Sequence, residues 1–310
     1  MSKIATIKKG FRYLTDSGYR MGIDTKHGRY AHLSDQEYIS LRYKRCLKRT
    51  LNLDKPESFN EKLQWLKLFD RQPKYTMLVD KFAVKQFITE KIGDQYVVPT
   101  LGVWDKFEDI DFESLPNQFV LKCTHDSGGI VICRDKQKFN KKKAKTKLNR
   151  LLASNFYTRC REWPYKNVHR RIIAEEYLED SVECDLKDYK LMCFNGKVRC
   201  SFVCTDRFSN AGVHVTFFDR NWNRMPFQRH YPTSKKVISK PLNYDEMIRL
   251  AEELSKDIPF VRVDFYEVNG KIYFGEMTFY PGSGYEEFEP DEWDYTLGSW
   301  ITLPLEKTTD

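Results

Sequence analysis

The sequence contains no long apolar run. No segment approaches the roughly 20 apolar residues that a helix needs to span a bilayer. The first residues, MSKIATIKKGFRYL, are basic but lack the continuous apolar stretch of a secretory signal. These absences argue against an integral membrane protein and predict a cytoplasmic one.

Paired cysteines are also missing. The eight cysteines form no C-x-x-C pair, and the closest two, Cys200 and Cys204, have no second pair or histidine cluster near them in the sequence. A zinc site of the usual spacing is therefore excluded. In a reducing compartment we expect most of these cysteines to be buried apolar residues.

The familiar motifs of nucleotide enzymes do not occur. The chain has no G-x-x-x-x-G-K-[ST], no G-x-G-x-x-G and no H-R-D paired with D-F-G. Their absence argues against P-loop proteins, dinucleotide-binding Rossmann domains and protein kinases. Any nucleotide site must therefore be built from other residues.

What is present suits a folded protein with one large or two modest domains. Of the 310 residues, 41% are hydrophobic and 15% aromatic, which is ample for a core. The net charge is +8, and nine cations fall within residues 134–150. Such a run is typical of a solvated helix face. The alternative is an anionic partner, namely a nucleotide polyphosphate, an acidic polymer or a lipid surface. Nucleic acid is disfavoured because Phe139 is the one aromatic residue in the run.

Helical periodicity dominates the first 95 residues or so. In SFNEKLQWLKLFD, Ser58 and Glu61 have the spacing of a capping box. The segment YTMLVDKFAVKQFITEKIG predicts a second helix, which ends at Gly93. Farther along, residues 243–258 predict an amphipathic helix with Asn243 as its cap.

Short β-rich runs follow the helical part. FVLKC (119–123) and IVICR (130–134) flank THDSGG, which predicts a hairpin with a glycine loop at its tip. RIIAEEYL predicts a further strand. Asn195-Gly196 lies between two strand-like runs and is the strongest hairpin signal in the chain. Hairpins with scattered helices predict an α+β fold with mostly antiparallel sheets.

The last hairpin, FVRVDFYEVNGKIYFGEMTF, carries charged residues. Alternation places Arg262 and Asp264 on one face of its first strand and Glu276 and Thr278 on one face of its second. A two-residue Asn-Gly turn would put the carboxylates on opposite faces. A three-residue loop with a bulge would pair Arg262 directly with Glu276 and leave Asp264 diagonal. We predict the second register.

Two carboxylates beside one arginine have two interpretations. One is a buried salt-bridge cluster, although desolvation of each ion costs several kcal/mol. The other is a hard cation, because Mg²⁺ is held by one or two carboxylates together with substrate phosphates. Lys122, immediately before THDSGG, supports a phosphate site, since glycines let backbone N–H groups approach phosphate oxygens. Alone, Lys122 is equally typical of an edge strand.

The order of these segments resembles the ATP-grasp superfamily. VDKFAVK, FVLKCTHDSGGIVI, IIAEEYLED, DYKLMCFNGKV and VRVDF…GEMTFYPGSG follow one another as that superfamily's nucleotide-binding segments do. SFNEKLQWLKLFDRQPKYT, DYKLMCFNGK and GEMTFYPGSG are similar to the TupA-like branch, which is associated with bacterial surface polysaccharides. The resemblance implies two α+β lobes with antiparallel sheets that clasp ATP. It divides the chain into a helical region (1–75), an N-lobe (76–180) and a C-lobe (181–310).

The resemblance also implies roles for particular residues. Lys81 and Lys122 would contact phosphates, and Asp188 would orient Lys190 at the γ-phosphate. Arg262, Lys190 and Lys122 would be catalytic. Asp264 and Glu276, with Thr278, would ligate Mg²⁺. The remaining expected contacts are with the nucleotide, at His125, Ser127, Gly128, Gly129, Glu175, Glu176, Tyr177, Leu178 and Glu183 (or Glu179), and with substrate, at Arg207, His214, Tyr280 and Ser283.

Two features depart from the superfamily pattern. The first ~75 residues look helical by their apolar period, where most members have an open α/β domain. The metal motif usually reads Glu-x-Asn, but here it reads Glu276-Met277-Thr278. A threonine hydroxyl is a shorter and weaker ligand than an amide oxygen.

The resemblance implies an ATP-dependent carboxylate–amine ligase that forms an acyl phosphate and then an amide. Its TupA-like branch implies a uronic acid of a capsule or cell-wall glycan, or its nucleotide sugar, joined to an amino acid or amine. We expect it in the cytoplasm or at the periphery of a capsule-assembly complex on the inner membrane. The alternatives are a glycosyltransferase of the same pathway, an ATP-grasp sugar kinase and a non-enzymatic glycan-binding protein.

Overall fold

The computed structural model describes residues 10–180, 187–206 and 212–309. Its first third is helical, as predicted. Ser58 caps the helix Phe59–Phe69 through a complete capping box with Glu61. The helices of this part are Ser17–Lys26, Asp35–Leu47, Phe59–Phe69, Pro73–Val79 and Val84–Ile92.

The prediction of one helix from Tyr75 to Gly93 is wrong. The chain forms two helices there, separated at residues 80–83. Asp80 Oδ1 accepts hydrogen bonds from the backbone N–H groups of Phe82 and Ala83, so its side chain competes with the helical ladder and restarts the helix. Gly93, with φ of 115°, does end the second helix.

A four-stranded antiparallel sheet follows, with strand order β1-β4-β2-β3. The predicted hairpin around THDSGG is confirmed, because Lys122 on β2 pairs with Ile130 on β3. The lysine-rich helix, Lys141–Leu152, buries Ala144 and Leu148 against this sheet and leaves its lysines half-buried or exposed. The strands are Thr100–Trp104 (β1), Phe119–Cys123 (β2), Ile130–Cys133 (β3) and Ile172–Glu176 (β4), and a short helix, Tyr157–Cys160, precedes β4.

A five-stranded antiparallel sheet, with strand order β10-β9-β5-β6-β7, forms the second half of the molecule. Asn195 and Gly196 adopt left-handed φ values of 49° and 74° and make the predicted two-residue turn between β5 and β6. A two-stranded ladder joins β8 and β11. The strands are Asp188–Phe194 (β5), Lys197–Thr205 (β6), His214–Asp219 (β7), Gln228–Arg229 (β8), Phe260–Val268 (β9), Lys271–Thr278 (β10) and Phe288–Glu289 (β11).

The helix on this sheet, Tyr244–Leu254, ends four residues earlier than predicted. The side chain of Asn243 does not cap it, because its amide donates to the carbonyl of Gly270 instead. Glu246 accepts hydrogen bonds from Tyr96 and Arg249. Arg249 is a local partner at i+3, whereas Gly270 and Tyr96 are distant in sequence, and no local pattern reveals them. The last helix is Glu292–Ser299.

The register of the last hairpin differs from the prediction. Val268 pairs with Lys271, so the turn has two residues, Asn269 and Gly270. Between Phe274 and Glu276 the register shifts by one residue at Gly275. The bulge therefore lies within the strand and not in the turn. It brings Glu276 opposite Asp264 and Thr278 opposite Arg262.

The N-terminal helices share a core with the five-stranded sheet. Phe59 packs edge-on against Phe260 at a ring distance of 5.0 Å. The four-stranded sheet has its own smaller core beneath the lysine-rich helix. Nowhere in residues 10–180, 187–206 and 212–309 is a helix long and apolar enough to cross a membrane.

Gly298 lies on the last helix, where this helix contacts the start of the helix Phe59–Phe69. A Cβ at Gly298 would lie 2.2 Å from the carbonyl oxygen of Glu57 and 2.7 Å from the nitrogen of Phe59. Because both are backbone atoms, we expect Gly298→Ala to lower the free energy of unfolding by about 2 kcal/mol or more. Gly22→Ala is the matched control, since its nearest neighbour is 3.8 Å away and alanine favours a helix by about 0.4 to 1 kcal/mol. Urea denaturation measures both, and equal effects would contradict this packing.

Candidate functional site

A cluster of charged residues lies on three adjacent strands of the five-stranded sheet. Lys190 on β5 pairs in register with Asp264 on β9, and Asp264 pairs with Glu276 on β10. The three side chains therefore form one row across the sheet. Arg262 lies two residues before Asp264, on the same face.

Hydrogen bonds connect this row. Arg262 binds Asp264 through two nitrogens, each 2.6 Å from a carboxylate oxygen. Its Nη2 also donates to Glu276 Oε1 at 3.0 Å and to Thr278 Oγ1 at 2.9 Å. Lys190 Nζ lies 2.5 Å from Asp188 Oδ2 and 2.5 Å from Asp264 Oδ2. The predicted convergence of Arg262, Asp264 and Glu276 thus occurs, although through a different register.

The charges of the cluster determine its protonation. Burial alone would raise the pKa of Glu276, but Lys81, Arg262 and Lys190 together outweigh it, so this pKa lies below its usual range. Burial would lower the pKa of Lys190, yet Asp188 and Asp264 raise it overall. The cluster thus contains three carboxyl groups, those of Asp188, Asp264 and Glu276, beside two cations. Burial raises the pKa of Asp264, and Arg262 and Lys190 offset only part of that increase.

This donor set suits a hard divalent cation. The facing carboxylates of Asp264 and Glu276 provide oxygen ligands, and 35% of the Glu276 side chain is exposed. Both oxygens of Asp264 contact Arg262 or Lys190, whereas Arg262 holds Glu276 through Oε1. In the part of the chain that the structure describes, no group of three or more His, Cys, Asp or Glu side chains has a metal-binding arrangement. A cation here would therefore need further oxygens from phosphate or water.

A second charged group lies on the four-stranded sheet. Glu175 on β4 is 2.7 Å from Lys85 Nζ and 2.5 Å from Lys122 Nζ. Burial would raise the pKa of Glu175, but the two lysines lower it overall. Glu175 thus pairs with Lys122, which the resemblance assigns to phosphate, and also with Lys85.

A cleft of about 620 Å³ separates the two sheets. Its walls include the predicted residues Lys122, Glu175, Glu176, Tyr177 and Leu178. Ile130 and Ile132 on β3 contribute an apolar surface, and their exposed fractions are 40% and 50%. A small cavity beside the cleft is lined by Lys81, Lys85, Lys122, Glu175 and the bulge residue Gly275, which precedes Glu276. The charge of Lys81 lowers the pKa of Glu276 more than any other charge does, so this lysine lies near the charged row.

The glycine loop has an exposed tip and a buried base. Ser127 and Gly128 are exposed, and Gly128 has a left-handed φ of 84°. His125 is buried and its Nε2 lies 3.1 Å from the carbonyl oxygen of Leu151, so its side chain contacts the end of the lysine-rich helix. Gly129 lies close to the Asp126 side chain, since a Cβ at this position would be 2.2 Å from Asp126 Oδ2.

The remaining predicted residues are dispersed. Glu183 and Arg207 lie outside the described residues. His214 Nδ1 is 3.5 Å from Asp206 Oδ2, and Asp206 lines the far side of the cleft. Tyr280 is buried. Ser283 donates a hydrogen bond to Glu162.

Sequence reasoning missed Arg229. This buried guanidinium lies 4.9 Å from the ring centroid of Phe202, and Arg262 lies 5.7 Å from the same centroid. Arg229 Nε is also 3.0 Å from Glu286 Oε2. No periodicity or motif in PFQRH indicates a buried arginine. Glu162 and Lys67 were missed as well, although Asn60, Gln64 and Lys67 form a polar stripe at helical spacing that could have been noticed.

Known structures with a similar fold are ligases of several kinds. D-alanine–D-alanine ligase from Helicobacter pylori gives a TM-score of 0.44 with 11% identity, over 80% of this chain and 70% of that one. The Bacillus anthracis D-alanine–D-alanine ligase complexed with ATP gives 0.38 with 15% identity, over 66% of this chain and 54% of that one. The ATP-grasp ligase PsnB complexed with minimal precursor gives 0.39 with 11% identity, over 67% and 55%.

The chain thus spans little more than half the length of two of these structures. Similarity of this size says nothing about substrate or reaction. No curated protein sequence matches the chain. The model of the family described as TupA-like ATPgrasp matches residues 61–302, which is more than three quarters of the 310 residues. The chain therefore belongs to the TupA-like ATP-grasp family.

Proposed function

We propose that the protein is an ATP-dependent carboxylate–amine ligase. The observation that carries this proposal is the row of Lys190, Asp264 and Glu276, with Arg262 beside it, next to a cavity that Gly275, Lys81 and Lys122 line. Phosphoryl transfer depends mostly on positioning and on charge stabilisation, which such an arrangement supplies.

Each group of residues at the cleft would have a separate role. Lys81 and Lys122 would bind the phosphates, and Tyr177 and Leu178 would hold the base against the apolar surface of β3. Arg262 and Lys190, both charged at neutral pH, would stabilise the transferring phosphoryl group. Asp264 and Glu276 would hold Mg²⁺, which neutralises phosphate charge when bound. The exposed tip of the glycine loop would cover the phosphates and exclude water.

The reaction proceeds in two steps. A carboxylate oxygen of the substrate bonds to the γ-phosphorus while the bond to the β-phosphate oxygen breaks, which gives an acyl phosphate and ADP. An amine then bonds to the acyl carbon while phosphate leaves with the electron pair of the C–O bond. Water must be excluded throughout, because it would hydrolyse the acyl phosphate.

The substrate we propose is a uronic acid of a bacterial capsule or surface polysaccharide, or its nucleotide sugar, joined to an amino acid or amine. Membership of the TupA-like family supports this choice. We also propose that the reaction takes place in the cytoplasm, at the periphery of a capsule-assembly complex. We also propose that residues 76–180 and 181–310 are the two lobes and that residues 1–75 are an added helical region.

A glycosyltransferase of the same pathway is the main alternative. The sequence contains one D-x-D triplet, at Asp109 and Asp111. Asp111 Oδ1 instead accepts hydrogen bonds from the backbone N–H groups of Glu113 and Ser114, so it caps an exposed turn. The charged row favours the ligase over a transferase.

The function is tested by incubating the protein with Mg·ATP, glucuronic acid or UDP-glucuronic acid, and a panel of amino acids. ADP and phosphate that depend on both the acid and the amine would support a ligase. A phosphorylated sugar formed without amine would identify a sugar kinase. Release of UDP with ATP untouched would indicate a glycosyltransferase and overturn both.

Glu276→Gln tests the charged row. Glutamine keeps the size of the side chain and a carbonyl oxygen for Arg262, but it removes the negative charge that faces the lysines. We expect ATP turnover to fall about 100-fold or more, with an unchanged circular dichroism spectrum and melting temperature. Glu57→Gln, at a side chain that is 59% exposed, is the matched control and should have no effect. Unfolding of Glu276→Gln with normal turnover in the folded fraction would indicate a purely structural ion cluster.

Glu175→Gln tests the second charged group. It leaves the half-buried ammonium groups of Lys85 and Lys122 without their carboxylate, so we expect the free energy of unfolding at pH 7 to fall by about 3 kcal/mol. Because the pKa of Glu175 is depressed in the folded state, this contribution is complete above the usual glutamate pKa and is lost as the pH falls through the folded value. The wild type and the variant should therefore converge in acid. A difference that does not change with pH would contradict the pairing.

A further inference from the structure

The loop after β10 has an unusual backbone. Gly282, Ser283 and Gly284 are all left-handed, with φ values of 59°, 54° and 62°. A serine in this conformation is strained by about 1 kcal/mol or more. Other parts of the molecule must therefore hold the loop in place.

A buried polar face of helix Phe59–Phe69 holds it. Gln64 Nε2 donates to the carbonyl oxygen of Gly284 at 2.7 Å, and Lys67 Nζ donates to that of Ser283 at 2.6 Å. Asn60 Nδ2 donates to the carbonyl oxygen of Glu286 at 2.9 Å. Burying three polar side chains is costly unless each is hydrogen-bonded, and here every one of them binds this loop. The helix thus fixes the position of Ser283.

The hydroxyl of Ser283 connects the surface to a buried carboxylate. Ser283 is half-exposed, and its Oγ donates a hydrogen bond to Glu162 Oε1. Glu162 itself is only 6% exposed. The charged groups that face Glu162 are Lys67 and Arg42 from the helical region and Arg262 from β9. Burial, and then the charges of Glu162 and Glu276, raise the pKa of Tyr165, so both carboxylates lie near this tyrosine.

We propose that Glu162 accepts, through the Ser283 hydroxyl, the proton that the ammonium group of the substrate must lose before it can attack the acyl phosphate. This role rests on the proposed ligase function. A proton passes from the ammonium nitrogen to Ser283 Oγ while the serine proton passes to Glu162 Oε1, and the free amine then bonds to the acyl carbon. The C–O bond to phosphate breaks at the same carbon, and phosphate leaves with its electron pair and takes up the second proton of the nitrogen. The proton on Glu162 returns to solvent through Ser283 after product release.

The surroundings of Glu162 suit a proton acceptor. Burial raises its pKa, and Lys67, Ser283, Arg42 and Arg262 offset only part of that increase. A carboxylate of raised pKa is a better base for an ammonium group than an ordinary one. Burial also lowers the pKa of Lys67, to about 8. Lys67 therefore carries its charge at neutral pH and keeps Glu162 ionised while the enzyme rests.

Hydroxylamine separates this role from a structural one. Its nitrogen is uncharged at pH 7.5, whereas the amino group of an amino acid is mostly protonated. With glucuronic acid or UDP-glucuronic acid as the acid, we expect Glu162→Gln to slow amide formation from amino acids about 100-fold or more. The rate of hydroxamate formation from hydroxylamine should stay within a few-fold of the wild-type rate. The wild-type rate of amide formation depends on ionised Glu162, so this rate should fall as the pH falls through the pKa of Glu162. The rate of the Glu162→Gln variant should not show this decrease.

Parallel loss of amide and hydroxamate in Glu162→Gln would overturn the proposal, because it would show that the loop had merely collapsed. An unchanged amide rate would overturn it as well. Ser283→Ala is the second variant, for the case in which Glu162→Gln does not fold. It removes the hydroxyl and leaves the buried carboxylate with Lys67. We again expect slow amide formation from amino acids and a nearly unchanged rate of hydroxamate formation. A wild-type protein that consumes no ATP with either acid and either nucleophile would contradict the ligase function itself.

Discussion

The one-residue bulge at Gly275 is the constraint on which the charged site depends. Side chains alternate along a strand, so without the extra residue Glu276 would face away from Asp264 and Arg262. A side chain at position 275 would approach the carbonyl oxygen of Asp264 to 3.1 Å, which is why a glycine suits the bulge. Once Glu276 is opposite Asp264, the single guanidinium of Arg262 can bind both carboxylates. Lys81 then lies near Glu276, and its charge lowers the pKa of that carboxyl group.

The helical region is the other support of the site. Its core is continuous with the five-stranded sheet, and its polar face fixes the loop that begins at Pro281. Most of the helix Phe59–Phe69 is buried, including Gln64 and Lys67. These two polar side chains form hydrogen bonds inside the protein. In this chain the helical region therefore acts as a scaffold for the loop that carries Ser283. The hydrogen bonds to this loop offset the usual cost of burying polar residues.

Much of the fold could be predicted from local signals. The capping box at Ser58, the Asn195-Gly196 turn and the hairpin around THDSGG are confirmed because each depends on neighbouring residues. The convergence of Arg262, Asp264 and Glu276 was also predictable, but the position of the bulge was not, since alternation looks the same on either side of it. The helix break at Asp80 and the partners of Asn243 depend on side chains that compete with the backbone. Arg229 and Glu162 were unpredictable because distant segments bring them to the site.

The central claim is that the row of Lys190, Asp264 and Glu276 is a site for a metal–nucleotide complex and not a structural ion cluster. Calorimetric titration of the wild-type protein with a non-hydrolysable ATP analogue, with and without Mg²⁺, tests it directly. We expect saturable binding to one site, weakened about tenfold or more when Mg²⁺ is replaced by a chelator. Absence of binding, or an affinity that does not depend on Mg²⁺, would contradict it.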